Sequence, residues 1–289
     1  MSVGQVAFVT GAASGIGRAL CQGLVARGAR VIAADRDLEG AETVARSLGP
    51  SLVPLELDVT DPDSFGEAVR GVVRDFGRLD MLFNNAGVGL AGQVRDLGLA
   101  EWHRVFDVNV WGVVHGIHAA YPVMVRQGHG HIVNTASGAG LVARPGMVPY
   151  AAAKHAVVGL STSLRAEAHP LGVNVSVACP GYVATKIMSS TRYVGVNQDR
   201  LTKDIPVKPI GAEACAKAIL QGMDRDEAII VISKLVRIEW ALNRLSPRLG
   251  VALGRLRGQR FHVTREAGGP LDDPGPDAAR PGDDVDAAQ

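Results

Sequence analysis

The chain has 289 residues, 47% of them hydrophobic and 20% charged, with 30 Lys and Arg against 29 Asp and Glu for a formal net charge of +1. That balance describes an ordinary globular protein without the basic excess that polyanion binding needs, so no nucleic-acid partner is expected. Three cysteines, Cys21, Cys179 and Cys215, are an odd number without C-x-x-C spacing and argue against a disulfide framework or a zinc knuckle. No basic leader with an apolar core precedes "VAFVT" and no run of about 18 apolar residues follows, so a cytoplasmic protein without a membrane span is expected.

The first element, "QVAFVTGAASGIGRAL" (residues 5–20), is an apolar strand, a glycine turn and a helix from about Ser14. Its glycines, Gly11, Gly15 and Gly17, read G-x-x-x-G-x-G rather than the common dinucleotide spacing G-x-G-x-x-G. A strand, a tight turn and a helix start would still aim free backbone N–H groups and the positive helix end at a pyrophosphate. The second strand, "VIAADR", ends in Asp35, about 20 residues on, where a carboxylate accepts hydrogen bonds from the adenosine ribose hydroxyls. A 2′-phosphate would meet a like charge there, which favours NAD, while the neighbouring Arg36 leaves NADP open.

The alternation continues through "LEGAETVARSL", "LVPLELDV", "DSFGEAVRGVVRDFG", "LDMLFNNAG", a long helix over residues 101–127, "GHIVNTAS", "YAAAKHAVVGLSTSLRAEAH" and "VNVSVACPG". Strands this poor in charge are covered on both faces. With "AIIVIS" as the last strand, the pattern predicts an α/β, doubly wound, mostly parallel sheet of seven strands with helices on both faces.

Residues 186–209 lack strand alternation and follow the sixth strand, and so read as a substrate-covering loop. The dinucleotide-binding and catalytic unit therefore spans residues 1–235. An amphipathic extension over 236–265 follows, within a stretch made basic by Lys234, Arg237, Arg244, Arg248, Arg255, Arg257 and Arg260. It reads as a helix covering the substrate loop or, through Ile238, Trp240, Leu242 and Leu245, as a peripheral contact with an anionic membrane surface. Residues 266–289 are Pro, Gly, Asp and Ala with little to bury, and disorder is expected there.

"TASGAGLVARPGMVPYAAAK" carries Ser137 after a strand, then Tyr150 and Lys154 four apart on one helix face. A phenol is a poor base near neutrality, and lowering its pKa by about 2 to 3 units requires about 3 to 4 kcal/mol of phenolate stabilisation. A lysine ammonium one turn away and a cationic nicotinamide supply it. Ser137 would hold the substrate oxygen while Tyr150 exchanges its proton and hydride moves to or from the nicotinamide. Elsewhere, His115 and His118 stand three apart without a third metal ligand. His129 and His131 read as surface residues of a loop, and Cys179 as a buried small residue.

"TGAASGIG" at 10–17, "NNAG" at 84–87, Asn109 in "DVNVWG", Ser137, the Tyr150 and Lys154 pair and "PGYVAT" at 180–185 together resemble the short-chain dehydrogenase/reductase family, over about residues 5–235. The resemblance implies a Rossmann-like fold and a catalytic tetrad of Asn109, Ser137, Tyr150 and Lys154, with Asn109 holding a water that joins Lys154 to a proton relay. It places Gly11, Ser14, Gly15, Ile16 and Gly17 along the pyrophosphate and nearby ribose, with Asp58 and Val59 at the adenine. Asn85 falls by the adenosine-side ribose, with Ala86 and Gly87 beside it, and Pro180, Gly181, Val183 and Thr185 lie near the nicotinamide. No metal is implied.

The expected activity is NAD-dependent interconversion of a secondary alcohol and a ketone, on a small-molecule substrate of lipophilic or cyclic character. An NADPH-dependent carbonyl reductase and a non-catalytic dinucleotide-binding regulator are the alternatives. Many members end in a short segment at a tetramer interface where this chain continues as a basic extension, so a homodimer through the long helices around Asn109 and Tyr150 is expected beside the homotetramer.

Overall fold

Short aliphatic runs that bury on both faces satisfy their backbone only by pairing with one another, and the helices between them supply the covering layers. The computed structural model describes residues 4–185, 187–198 and 208–262. Strands β1 (Val6–Thr10), β2 (Arg30–Asp35), β3 (Leu52–Glu56), β4 (Met81–Asn84), β5 (Gly130–Thr135), β6 (Val173–Cys179) and β7 (Ile229–Val231) form one parallel sheet. Their order is β3-β2-β1-β4-β5-β6-β7. The chain thus leaves β1 toward one edge and resumes at β4 toward the other, which opens a crevice beyond the carboxyl ends of β1 and β4.

Helices α1 (Gly15–Val25), α2 (Leu38–Leu48) and α7 (Ala212–Asp224) cover one face; α3 (Pro62–Phe76), α5 (Gly112–Gln127) and α6 (Val148–Ala168) cover the other. The two-residue period of β1 sorts its side chains between them. Ala7 and Val9 pack with Leu20, Leu24 and Ile219, whereas Val6 and Phe8 pack with Phe65, Val69 and Met124. Phe8 stacks on Phe65 at 5.7 Å between centroids, and burial of each such side chain stabilises the fold by roughly 1.5–3 kcal/mol. The three cysteines are buried, and burial pushes each thiol up to about 12.

Three sequence expectations need correction. The segment 186–209 is not without strand structure: Arg192–Val194 pairs in parallel with Leu90–Gly92, a ladder too short to show alternation. Residues 186 and 199–207 of that segment lie outside the described residues. His131 is no loop histidine either. It stands in β5 and its Nε2 meets Ser176 Oγ of β6 at 2.9 Å, because "GHIVNT" starts its strand at the glycine. The long helix over 101–127 is interrupted: α4 (Leu99–Phe106) and α5 flank a π-helical turn, Asp107–Trp111, about Asn109.

The extension forms two helices, α8 (Lys234–Leu245) and α9 (Pro247–His262), broken where Ser246 takes an extended backbone before Pro247. Ile238, Leu242 and Leu245 are exposed on α8 beside exposed Arg237 and Arg244, and the guanidinium of Arg244 lies over the Trp240 ring. Residues 266–289 lie outside the described residues. No helix among the described residues is long and apolar enough to cross a membrane.

Burial lowers His131 from 6.5 to about 4. The folded protein therefore keeps this ring neutral while the unfolded chain protonates it below about 6.5, so stability present above pH 6.5 is lost between pH 6.5 and 4. At pH 5 the loss amounts to about 2 kcal/mol. Urea unfolding at pH 7 and pH 5 should show that His131→Gln loses less stability across this interval than the wild type by about that amount. An equal loss in both would overturn the assignment.

Candidate active site

The crevice is first shaped by glycine. Gly11 and Gly15 have φ of +67° and +53°, a conformation that costs a side chain about 1–2 kcal/mol. Gly17 has no such φ; a Cβ there would lie 2.0 Å from the Gly11 carbonyl oxygen, so the first turn of α1 packs directly on the turn before it. The first intrahelical bond runs from Arg18 N to the Ser14 carbonyl at 3.1 Å. The N–H groups of Gly15, Ile16 and Gly17 are therefore the open donors of the helix start.

Asp35 ends β2 as expected, but its carboxylate has work the sequence does not reveal. Oδ2 accepts from Ala13 N at 2.9 Å and Oδ1 from Asp37 N at 3.0 Å, so Asp35 ties the glycine turn to the start of α2 while facing the crevice. Asp58 Oδ1 accepts from both the backbone and the hydroxyl of Thr60, 2.9 and 2.8 Å. Arg36 is exposed on the same rim.

Thr10 and Asn85 lace the crevice from below. Thr10 Oγ1 accepts from the N–H groups of Asn85 and Ala86 at 2.9 and 3.0 Å, and Asn85 Nδ2 donates to the Thr10 carbonyl at 3.0 Å. Beneath them Asn84 Nδ2 donates to Asn134 Oδ1, and Asn134 Nδ2 to Ser161 Oγ, all buried. Thr10 opens the motif "TGAASGIG" without announcing this role, and Asn134 carries no sequence signal beyond being polar in an apolar strand.

The four residues read as a tetrad converge. The π-helical turn carries Asn109 inward until it is fully buried, and its amide grips the backbone of Val88 with Nδ2 on the carbonyl and Oδ1 under the N–H, 2.9 and 3.0 Å. A Cβ on Gly87 would stand 2.8 Å from Asn109 Oδ1 and 3.5 Å from Lys154 Nζ, so only glycine leaves that gap open. Lys154, 3% exposed, donates from Nζ to the Thr135 carbonyl at 2.8 Å and lies 5.8 Å from the centroid of the Tyr150 ring one turn back. Burial holds the Lys154 amine down to about 8. It also pushes the Tyr150 phenol above its usual 10, against the downward pull of its hydrogen bond with Ser137. Ser137 Oγ accepts from Ala139 N at 3.1 Å, which fixes its rotamer at the end of β5.

One cavity of about 740 Å³ is lined by Gly11, Ser14, Gly15, Ile16, Asp35, Arg36, Asp58, Val59, Asn85, Ala86, Gly87, Ser137, Tyr150, Lys154, Pro180, Gly181, Val183 and Thr185. Two sequence-selected residues do not reach it: Gly17 lies behind the turn and Asn109 behind Val88. Arg144, Met147, Tyr182, Tyr193, Leu235, Val236, Glu239 and Arg257 also line the cavity, and the sequence singles out none of them individually as a site residue. Four of these come from α8 and α9, so the extension closes the cavity as well as covering its neighbourhood. His115 Nδ1 meets the Val59 carbonyl at 2.9 Å, which gives that ring a packing role at the same rim.

A sequence profile described as short chain dehydrogenase matches residues 5–193. SadH of Mycobacterium tuberculosis is 36% identical over 239 residues, covering 79% of this chain and 86% of its own. The 3-oxoacyl-[acyl-carrier-protein] reductase FabG of Escherichia coli is 32% identical over 237 residues, covering 81% and 96%. Among solved structures, a short-chain dehydrogenase/reductase from Burkholderia phymatum in complex with NAD superimposes with a TM-score of 0.76 at 29% identity, covering 93% of this chain and 98% of its own. By profile, by relatives and by fold, this chain belongs to the short-chain dehydrogenase/reductase family of oxidoreductases.

Proposed function

We propose that the protein transfers a hydride between NAD(H) and a secondary alcohol or ketone, with Tyr150 as the proton-exchanging acid/base. The observation that carries this reading is the burial of Tyr150 and Lys154 on one face of α6, opening with Ser137 into the cavity that also holds the glycine turn. The turn fits a dinucleotide: side chains at Gly11 or Gly17 would collide with backbone, and the helix start offers unused donors to a pyrophosphate. When bound, the nicotinamide supplies the hydride donor or acceptor and, in its oxidised form, a positive charge.

This chain's residues do the rest. Ser137 Oγ holds the substrate oxygen, and Tyr150 takes its proton during oxidation or returns it during reduction. Lys154 in its ammonium form stabilises the phenolate across one helical turn, an interaction that the surrounding low dielectric strengthens. Asn109 is a positioning residue, acting through Val88 and the gap at Gly87. Val88, Met147, Val183, Leu235 and Val236 give the substrate end an apolar wall that suits a lipophilic or cyclic compound. Leu99, Trp111 and Val148, exposed on the helices around Asn109 and Tyr150, support a homodimer through that face in the cytoplasm.

Tyr150→Phe should lower turnover by at least about 100-fold while leaving NADH binding intact, since only the exchangeable proton is removed. Retained turnover would overturn the mechanism, and NADH binding by the wild type without reduction of any carbonyl in a broad panel would favour a dinucleotide-binding regulator.

Asp35, Asp37 and Asp58 line the ribose end against one cation, Arg36. Fluorescence titration should therefore find NADH bound at least about tenfold tighter than NADPH, whose extra phosphate meets those carboxylates. The opposite order would favour the NADPH-dependent carbonyl reductase. Static light scattering should return twice or four times the chain mass; the mass of a single chain would remove the dimer.

A further inference from the structure

The cavity has a charged outer wall that hydride transfer itself does not require. Glu239 of α8 is buried at 7% exposure, and two guanidiniums hold it: Arg144 Nη2 donates to Oε2 at 3.0 Å, and Arg257 Nη2 of α9 donates to Oε1. All three residues line the same cavity as Ser137 and Tyr150. One arginine neutralises one carboxylate, so the second leaves the cluster with a net charge of one, carried by guanidiniums that stay partly open to the cavity while Glu239 is buried. Each guanidinium spends only its Nη2 on Glu239 among the described residues, and the remaining N–H donors of the fork are available to a planar anion.

Arg144, Arg257 and Glu239 share this cavity with Tyr182, Ser137 and Tyr150, which puts the charged cluster and the reacting phenol in one cleft. Burial pushes the Tyr182 phenol up, and the charges of both guanidiniums pull it down. Val88, Met147, Leu235 and Val236 offer apolar surface in the same cavity, and its other carboxylates, Asp35, Asp37 and Asp58, stand by the glycine turn and the ends of β2 and β3.

We propose that Arg144 and Arg257, clasped by Glu239, form an anion-holding subsite of the substrate cleft, so that the preferred alcohol or ketone carries a carboxylate beyond a short apolar spacer. The substrate class is then a hydroxy or oxo carboxylic acid. The subsite rests on the reading of this cavity as a substrate cleft. Glu239 pre-orients both guanidiniums and sets the residual charge to one, which favours a single carboxylate over a dianion such as a phosphate monoester.

The test uses the full chain loaded with NAD and two probes of equal length, hexanoate and hexanamide, titrated calorimetrically. Hexanoate is expected to bind at least tenfold tighter than hexanamide. Arg144→Ala and Arg257→Ala should each erase the preference, Arg257→Lys should retain part of it, and Glu239→Gln should strengthen hexanoate binding by removing the competing carboxylate. Glu239→Gln removes the competing negative charge while its amide oxygen still accepts from one guanidinium, and so supplies a readout that does not depend on an arginine variant folding.

Equal binding of the two probes, binding of neither at millimolar concentration, or a preference that survives both arginine substitutions would overturn the subsite. Failure of the function reading has a different signature. No carbonyl compound would then oxidise bound NADH, whether or not hexanoate is preferred.

Discussion

A parallel sheet that runs outward in both directions from its middle must part between the ends of β1 and β4, and the width of that parting governs everything built above it. Here it is held by side chains bonded to main chain: Thr10 Oγ1 gathers the N–H groups of Asn85 and Ala86, and Asn85 returns a bond to the Thr10 carbonyl. These bonds join β1 and β4 just where the ladder between them ends. They leave Gly87 free to open toward Lys154 and Asn109, and they set Gly11 against Ala86 so closely that a Cβ would stand 2.9 Å from its Cα. The glycine turn and Lys154 are thereby positioned by one small set of hydrogen bonds.

Above that parting, burial makes two ionisable groups costly to charge. A lysine amine held down to about 8 has given up about 3 kcal/mol of its preference for the charged form, and a phenol pushed above 10 is likewise disfavoured as an anion. Burial thus disfavours the charged form of each group taken alone. In the proposed mechanism the ammonium and the phenolate, removed from water together, would relieve one another, with few solvent dipoles to reorganise when a proton moves. The bond from Lys154 to the Thr135 carbonyl fixes the place of the amine and leaves its other N–H donors toward the cavity.

The two C-terminal helices belong to the same economy of burial. Glu239 would be an unpaired buried charge without Arg144 and Arg257, and loss of both would leave α8 with a strongly unfavourable contact at the cavity wall. Their mutual pairing ties the loop before Tyr150 to both helices of the extension. The outer wall of the cavity and the loop that leads into α6 are therefore joined by one charged cluster.

What the sequence by itself determined was whatever repeats over a few residues. Alternating strand and helix patterns carried the doubly wound fold, the interval between Tyr150 and Lys154 carried their shared helix face, and the spacing of Gly11, Gly15 and Gly17 carried a turn that only glycine tolerates. Tertiary structure decided what depends on partners far along the chain. The inward placement of Asn109 needs a π-helical turn that no residue in "DVNVWG" announces, and its grip on Val88 spans 21 residues. Asp35 is read as a ribose acceptor from sequence, yet its bond to Ala13 N, 22 residues away, also makes it a brace. His131 resembles a loop residue until Ser176, 45 residues on, is seen beside its ring. The outer wall is the extreme case: Arg144 and Glu239 are 95 residues apart, and a single charge at each position has no local signature. Period is a property of a segment, whereas compensation of buried charge and polarity is a property of the packed whole.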